Sequence, residues 1–196
     1  MAGVRQFDED KVLEVALEVF WRQGVAATSM PDLAEATGVR RGSLYNAYGG
    51  KEAIFLLAYE RYAERFLAPL RQSLAADDPA KALSGFFRAA IDNMTMGSPA
   101  WGCLTTKTAT DGSAESALVR QRLQGLLDAI AAMVEEALGR DDWRGRLALS
   151  PRAAADVIVT FTRGLAVMER VHGDRARLEA TADALVRALV RDGKGS

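Results

Sequence analysis

Apolar residues recur along this chain at intervals of three and four, the spacing of a buried helical face, and no segment alternates with the period of two that a strand requires. The pattern predicts an all-α fold of about nine helices, with glycine, proline and capping residues as punctuation. A first helix begins near Asp8, which caps it, with Phe7 placed to staple onto Val12; its apolar stripe is Val12, Val15, Ala16, Val19 and Phe20, and Gly24 ends it. Thr28 is expected to cap a short second helix that stops at Gly38, and a short third helix spans about 40–47. Gly49 and Gly50 break the chain before a long helix opening at Lys51 with Ile54, Leu57, Ala58, Tyr62 and Phe66. Asp78-Pro79 and Ser150-Pro151 each read as a cap followed by proline in the first turn. They start helices bearing Leu83, Phe86, Phe87, Ala90 and Met94, and Val157, Ile158, Phe161, Leu165 and Met168. Between them, Gly97-Ser98-Pro99 is a break, a short helix follows Trp101, and Ser113 or a neighbour caps a long helix running to Gly139. Gly173 precedes a last helix with Leu178, Ala182, Leu185, Val186 and Leu189; the tail from Lys194 to Ser196 is expected to fray, and Asp141 and Asp142 read as a solvated linker.

Composition narrows the class. With 49% apolar and 26% charged residues in 196, the chain carries enough apolar side chain for a sizeable core and is no disordered segment. No apolar run approaches the ~18 residues of a membrane span. The acidic start at Asp8, Glu9 and Asp10 is unlike a signal peptide, and Cys103 is a single cysteine, so the expected location is cytoplasmic. A net charge of −1 argues against indiscriminate coating of nucleic acid; DNA contact requires a local basic cluster in good geometry. One histidine, His172, and one cysteine far from it give no nucleophile–base pair, no metal-ligand cluster and no phosphate loop, so neither an enzyme nor a cofactor is expected.

One stretch carries chemistry. Leu33, Ala34, Gly38, Val39 and Leu44 fit two short helices crossing steeply: Ala34 is small enough for the crossing, Gly38 supplies the positive φ of the turn, and Leu33, Val39 and Leu44 face inward. The second of these helices is left with an outer face of Arg40, Arg41, Gly42, Ser43, Tyr45 and Asn46. Basic, hydroxyl, amide and aromatic groups on one short helix suit a major groove, and Gly42 lets the backbone approach it. Thr28 and Lys51 stand at helix starts, where phosphate is favoured. The competing reading is a helical hairpin that binds another protein.

Residues 8–60 resemble the DNA-binding domain of the tetracycline-repressor (TetR) family. The resemblance rests on Phe20-Trp21-Arg22-Gln23-Gly24, Thr28-Ser29, Leu33-Ala34-Glu35-Ala36-Thr37-Gly38-Val39, Gly42-Ser43-Leu44-Tyr45 and Lys51-Glu52-Ala53-Ile54-Phe55. It implies a DNA-binding domain over 1–50 and an effector-binding and dimerisation domain over 51–196. It also implies a homodimer on double-stranded operator DNA, and repression relieved by a small, apolar effector. Thr28, Tyr45 and Lys51 would touch phosphates, with Ser29 beside them, while Arg40, Arg41, Ser43 and Asn46 face the groove. Members often carry an aromatic residue or histidine where this chain has Ala47, so that phosphate contact is missing.

For the larger domain the expected effector pocket is Phe86, Phe87, Met94, Trp101, Cys103, Leu126 and Phe161. The expected two-fold interface is Val157, Phe161, Leu165, Leu178, Leu185 and Leu189, paired as a four-helix bundle. Cys103 has two readings. A helix N-terminus and Lys107 one turn on favour a reactive thiol that senses electrophiles or oxidants, whereas a small buried hydrophobe needs neither.

Overall fold

The computed structural model describes residues 7–191, so the tail expected to fray lies outside the described residues. Nine α-helices are present among them: α1 (Glu9–Gln23), α2 (Met30–Thr37), α3 (Arg41–Tyr48), α4 (Lys51–Leu74), α5 (Pro79–Met94), α6 (Leu104–Thr110), α7 (Ala117–Leu138), α8 (Pro151–His172) and α9 (Arg175–Leu189). Two 3-10 turns, Ser113–Glu115 and Asp141–Trp143, complete the order. No described helix is long and apolar enough to cross a membrane.

The chain divides into two compact units. The first joins residues 1–64 to 104–123, and the second joins 65–103 to 124–196. α4 belongs to the first unit as far as Glu64, and α6 belongs to that unit as well, although α5, which precedes it in sequence, belongs to the second.

In the first unit Val12, Leu13, Ala16, Leu17, Phe20 and Trp21 are buried on α1. This stripe is rotated from the expected one: Leu13, Leu17 and Trp21 go inside, while Val15 and Val19 are half-buried. The cause is tertiary. Aromatic residues of α4 meet α1, with Trp21 edge-on to Tyr62 at 4.9 Å and Phe20 edge-on to Phe55 at 5.4 Å between centroids. Asp8 caps α1 as expected, accepting from the Lys11 amide, while Phe7 lies against the Tyr48 ring, centroids 6.2 Å apart. Pro69 lies inside α4 without ending it, and the Ser73 hydroxyl bonds back to the Pro69 carbonyl.

The second unit buries Leu83, Phe86, Phe87, Ala90, Ile91 and Met94 of α5, with Ala154, Ala155, Ile158, Leu165 and Ala166 of α8 and Leu178, Ala182, Val186 and Leu189 of α9. The 140–149 connection is no free linker. Trp143 is buried and donates to the Asp77 carbonyl, Arg140 donates to the Ala76 carbonyl, Arg146 pairs with Asp78, and Leu147 bridges to Val190. Asp141 and Asp142 are exposed but pair with Arg144 and Arg140. Ser113 opens a 3-10 turn, and its neighbour Ser116 receives α7 amides, its carbonyl from Arg120 and its hydroxyl from Val119.

Candidate nucleic-acid interface

Local chemistry explains how α2 and α3 are placed. Ser29, not Thr28, caps α2. Its Oγ accepts from the Asp32 amide at 3.3 Å, while Asp32 Oδ2 accepts from the Ser29 amide and hydroxyl, both at 2.7 Å. This reciprocal box satisfies donors that a helix start otherwise leaves open. The same hydrogen bonds from Ser29 hold the Asp32 carboxyl below the usual carboxylate range. Pro31 fits the first turn, where its missing N–H costs nothing. Gly38 closes α2 in the left-handed conformation at φ 68°, as expected, and Gly49 closes α3 at φ 85°.

On α3 only Leu44 is buried, beneath the surface that Arg40, Arg41, Gly42, Ser43, Tyr45 and Asn46 expose. Each of these six is exposed. A side chain added at Gly42 would meet nothing within 4 Å, so the backbone there is open to a close partner. The Arg41 guanidinium lies 5.5 Å from the Tyr45 ring centroid, one helical turn away. Val39 is half-buried, while Leu33 is fully inside with Leu44.

Three further residues expected to bind DNA, Thr28, Ser29 and Lys51, make hydrogen bonds within the chain. Thr28 is buried, and its hydroxyl donates to the Gly24 carbonyl at 2.7 Å, which turns it away from any exposed anion. Ser29 is exposed, but its hydroxyl proton is taken by Asp32. Lys51 is half-buried and donates to the Val25 carbonyl at 2.8 Å and to the Ala26 carbonyl at 3.5 Å, so two of its three protons brace the loop between α1 and α2.

In the second unit Phe86, Phe87, Met94, Cys103 and Leu126 are buried, and Trp101 and Phe161 are half-buried. The three phenylalanines meet edge-on in sequence: Phe86 on Phe87 at 5.5 Å, Phe87 on Phe161 at 5.6 Å. A cavity of about 300 Å³ opens elsewhere, lined by Leu138, Gly139, Arg140, Trp143, Arg144, Gly145, Leu147, Leu149 and Pro151; none of the expected pocket residues lines it. The Lys107 ammonium donates to the α1 carbonyls of Trp21 and Arg22. The cation at the thiol is Arg163, whose Nη1 donates to Cys103 Sγ at 3.3 Å while Nε and Nη2 donate to the Thr162 hydroxyl. Sequence reading also passed over Glu169, an acid buried on the inner face of α8; its signal was a carboxylate one heptad beyond Thr162 on the same stripe.

The expected interface residues divide. Leu165, Leu178 and Leu189 are buried within the unit itself, and Phe161 and Leu185 are half-buried, so only Val157 stays exposed. The apolar surface of α8 is instead Val157, Val167, Met168 and Val171, between 39% and 69% exposed.

Comparison with known proteins agrees with this architecture. Residues 12–58 match the family model described as bacterial regulatory proteins, tetR family, and residues 79–185 match that of the tetracyclin repressor-like C-terminal domain. The second match alone covers more than half of the chain, which belongs to this family of transcriptional regulators. Among curated relatives, the HTH-type transcriptional repressor ComR of Escherichia coli is 32% identical over 60% of this chain and 57% of its own. The HTH-type transcriptional regulator TcmR of Streptomyces glaucescens is 31% identical over 67% and 55% respectively. The chain thus spans little more than half the length of these relatives. Among solved structures, a cysteine mutant of the TetR family regulator CifR, complexed with a 26-base-pair double-strand operator DNA, superposes with a TM-score of 0.84. It is 29% identical, over 95% of this chain and 99% of that one.

Proposed function

We propose that this chain is a transcriptional repressor that binds a palindromic operator as a homodimer and leaves it when a small molecule binds the second unit. The carrying observation is the exposed face of α3, where Arg40, Arg41, Ser43, Tyr45 and Asn46 surround an open Gly42 over a single buried anchor, Leu44. Arginine supplies paired donors for guanine, and Asn46 can pair an adenine edge. Tyr45 and the remaining proton of Lys51 serve the backbone phosphates. The operator complex of CifR supports the same use of the corresponding half of the fold.

The two-fold is formed by the exposed apolar face of α8 at Val157, Val167, Met168 and Val171, with α9 beside it. It sets two copies of α3 at half-sites about 34–36 Å apart. An effector releases DNA if it binds a dimer with another spacing more tightly than the one that fits. The effector is a small, mainly apolar molecule, a class supported by the aromatic run Phe86, Phe87 and Phe161. The site of action is the cytoplasm.

Selection of bound duplexes from a random pool tests the reading. The expected result is one enriched palindrome, bound with a steep dependence on salt. No enrichment, or binding indifferent to salt, overturns it. A compound screen for release of that palindrome then identifies the effector.

A further inference from the structure

Lys107 and Asp111 lie on and just after α6, outside the segment that matches the DNA-binding half of the family, yet both end on the corner between α1 and α2. Lys107 Nζ donates to the carbonyls of Trp21 at 2.5 Å and Arg22 at 3.2 Å. These belong to the last turn of α1, where carbonyls have no amide partner within the helix and the dipole is negative. Asp111 Oδ2 accepts from the Ala26 amide at 3.1 Å, and its other oxygen accepts from the Ser113 amide at 2.9 Å. A cation thus closes the carbonyl end of α1 while a carboxylate closes the amide that follows it.

Gly24 is where both side chains pass. Its φ is +89°, and a Cβ there would stand 3.4 Å from Lys107 Cδ and from Asp111 Oδ2. Farther back on α6, the Thr105 and Tyr59 hydroxyls are bonded at 2.9 Å, which fastens α6 to α4. All of these groups lie in the first unit. The corner they hold is the one from which α2, its turn and α3 depart.

We infer that Lys107 and Asp111 are positioning residues for DNA reading: they fix the α1–α2 corner so that α3 meets the groove in the pose that reads sequence. The inference rests on the DNA-binding reading above. A brace of this kind acts on base contacts, which need accurate placement, more than on phosphate contacts, which tolerate displacement.

The test uses the full-length protein with two duplexes of equal length, the selected operator and a random sequence. Lys107→Met is expected to weaken operator binding by about tenfold, the scale of one lost charge-assisted hydrogen bond, and to leave random-duplex binding within about twofold. Lys107→Arg, which keeps the cation, restores most of the loss. Lys107→Met that binds operator like the parent, or loses both duplexes in proportion, overturns the inference. If Lys107→Met does not fold, Asp111→Asn decides: selective loss of operator supports the inference, and parental operator affinity overturns it. If the parent protein itself selects no operator, the DNA-binding reading has failed and the inference falls with it, an outcome distinct from parental binding without selective loss in the variants.

Discussion

At the scale of single residues, a side chain's type predicts its chemistry and its neighbours decide whether that chemistry is free to act. Arg41 is exposed on α3 beside Tyr45, and Arg40 stands at the helix start with no capping role. Arg41→Ala is expected to cost about 1–3 kcal/mol on the selected operator and to relax preference at one symmetric pair of positions. Titration against operators changed at single base pairs measures this, and an equal loss on random duplex would reduce Arg41 to a phosphate contact. Cys103 shows the opposite situation. It is 5% exposed, held by Arg163 and flanked by the fully buried Leu104. Native protein is expected to react with a thiol reagent far more slowly than unfolded protein, and burial rather than intrinsic thiol chemistry sets that rate. Labelling at the rate of the unfolded chain would restore the sensor reading.

At the scale of elements, helix starts make the difference between local pattern and local geometry measurable. The sequence rule placed the α2 cap on Thr28. The structure selects Ser29 because Thr28 is drawn under the α1–α2 corner by the Gly24 carbonyl. Ser29→Ala is expected to destabilise the protein by about 1 kcal/mol, read as a shift in the urea midpoint, whereas loss of the Thr28 hydroxyl leaves the cap intact. Asp32 adds a pH dependence of known sign. Its folded pKa lies below the unfolded value of about 3.9, so the stability it contributes is present above that value and is lost as pH falls through the lower folded one. Asp32→Asn is therefore expected to flatten stability against pH in the acid limb only; an unchanged limb would show that the cap carries no net charge effect. The 140–149 connection is the other element-scale lesson. Its Asp-Asp pair reads as solvated, and those side chains are exposed, but Trp143, Arg140 and Arg146 tie the backbone to Ala76, Asp77 and Asp78. An aromatic residue amid charges was the available signal.

At the scale of the whole molecule, assembly follows from what each unit leaves uncovered. Val157, Val167, Met168 and Val171 are exposed on α8, while Leu165, Leu178 and Leu189, first expected at the interface, are buried in the core of their own unit. Val167→Glu with Val171→Glu is expected to give a folded monomer, with helical content kept and palindrome binding lost. Sedimentation and circular dichroism measure both. A folded dimer that still binds the palindrome would place the two-fold elsewhere. The pair Leu165 and Leu178 makes the contrasting case: charge there is expected to unfold the unit, because each is only 3% exposed.

The sequence by itself determined the helices, their breaks at Gly24, Gly38, Gly49 and Gly173, and the outward face of α3, because helical period, positive-φ glycines and caps act over a few neighbouring residues. It determined the family as well, through a motif confined to one supersecondary unit. Tertiary structure alone decided which side of α1 faces inward and that α6 joins the same compact unit as α1, α2 and α3. It also decided that Lys107 serves α1 while Arg163 serves Cys103, and that Leu165, Leu178 and Leu189 are core. The physical reason is range. Helical period marks a residue as apolar-facing without saying which partner covers it, and an ammonium or hydroxyl bonds whichever carbonyl the fold brings within about 3 Å, here more than eighty positions away for Lys107 and four for Thr28.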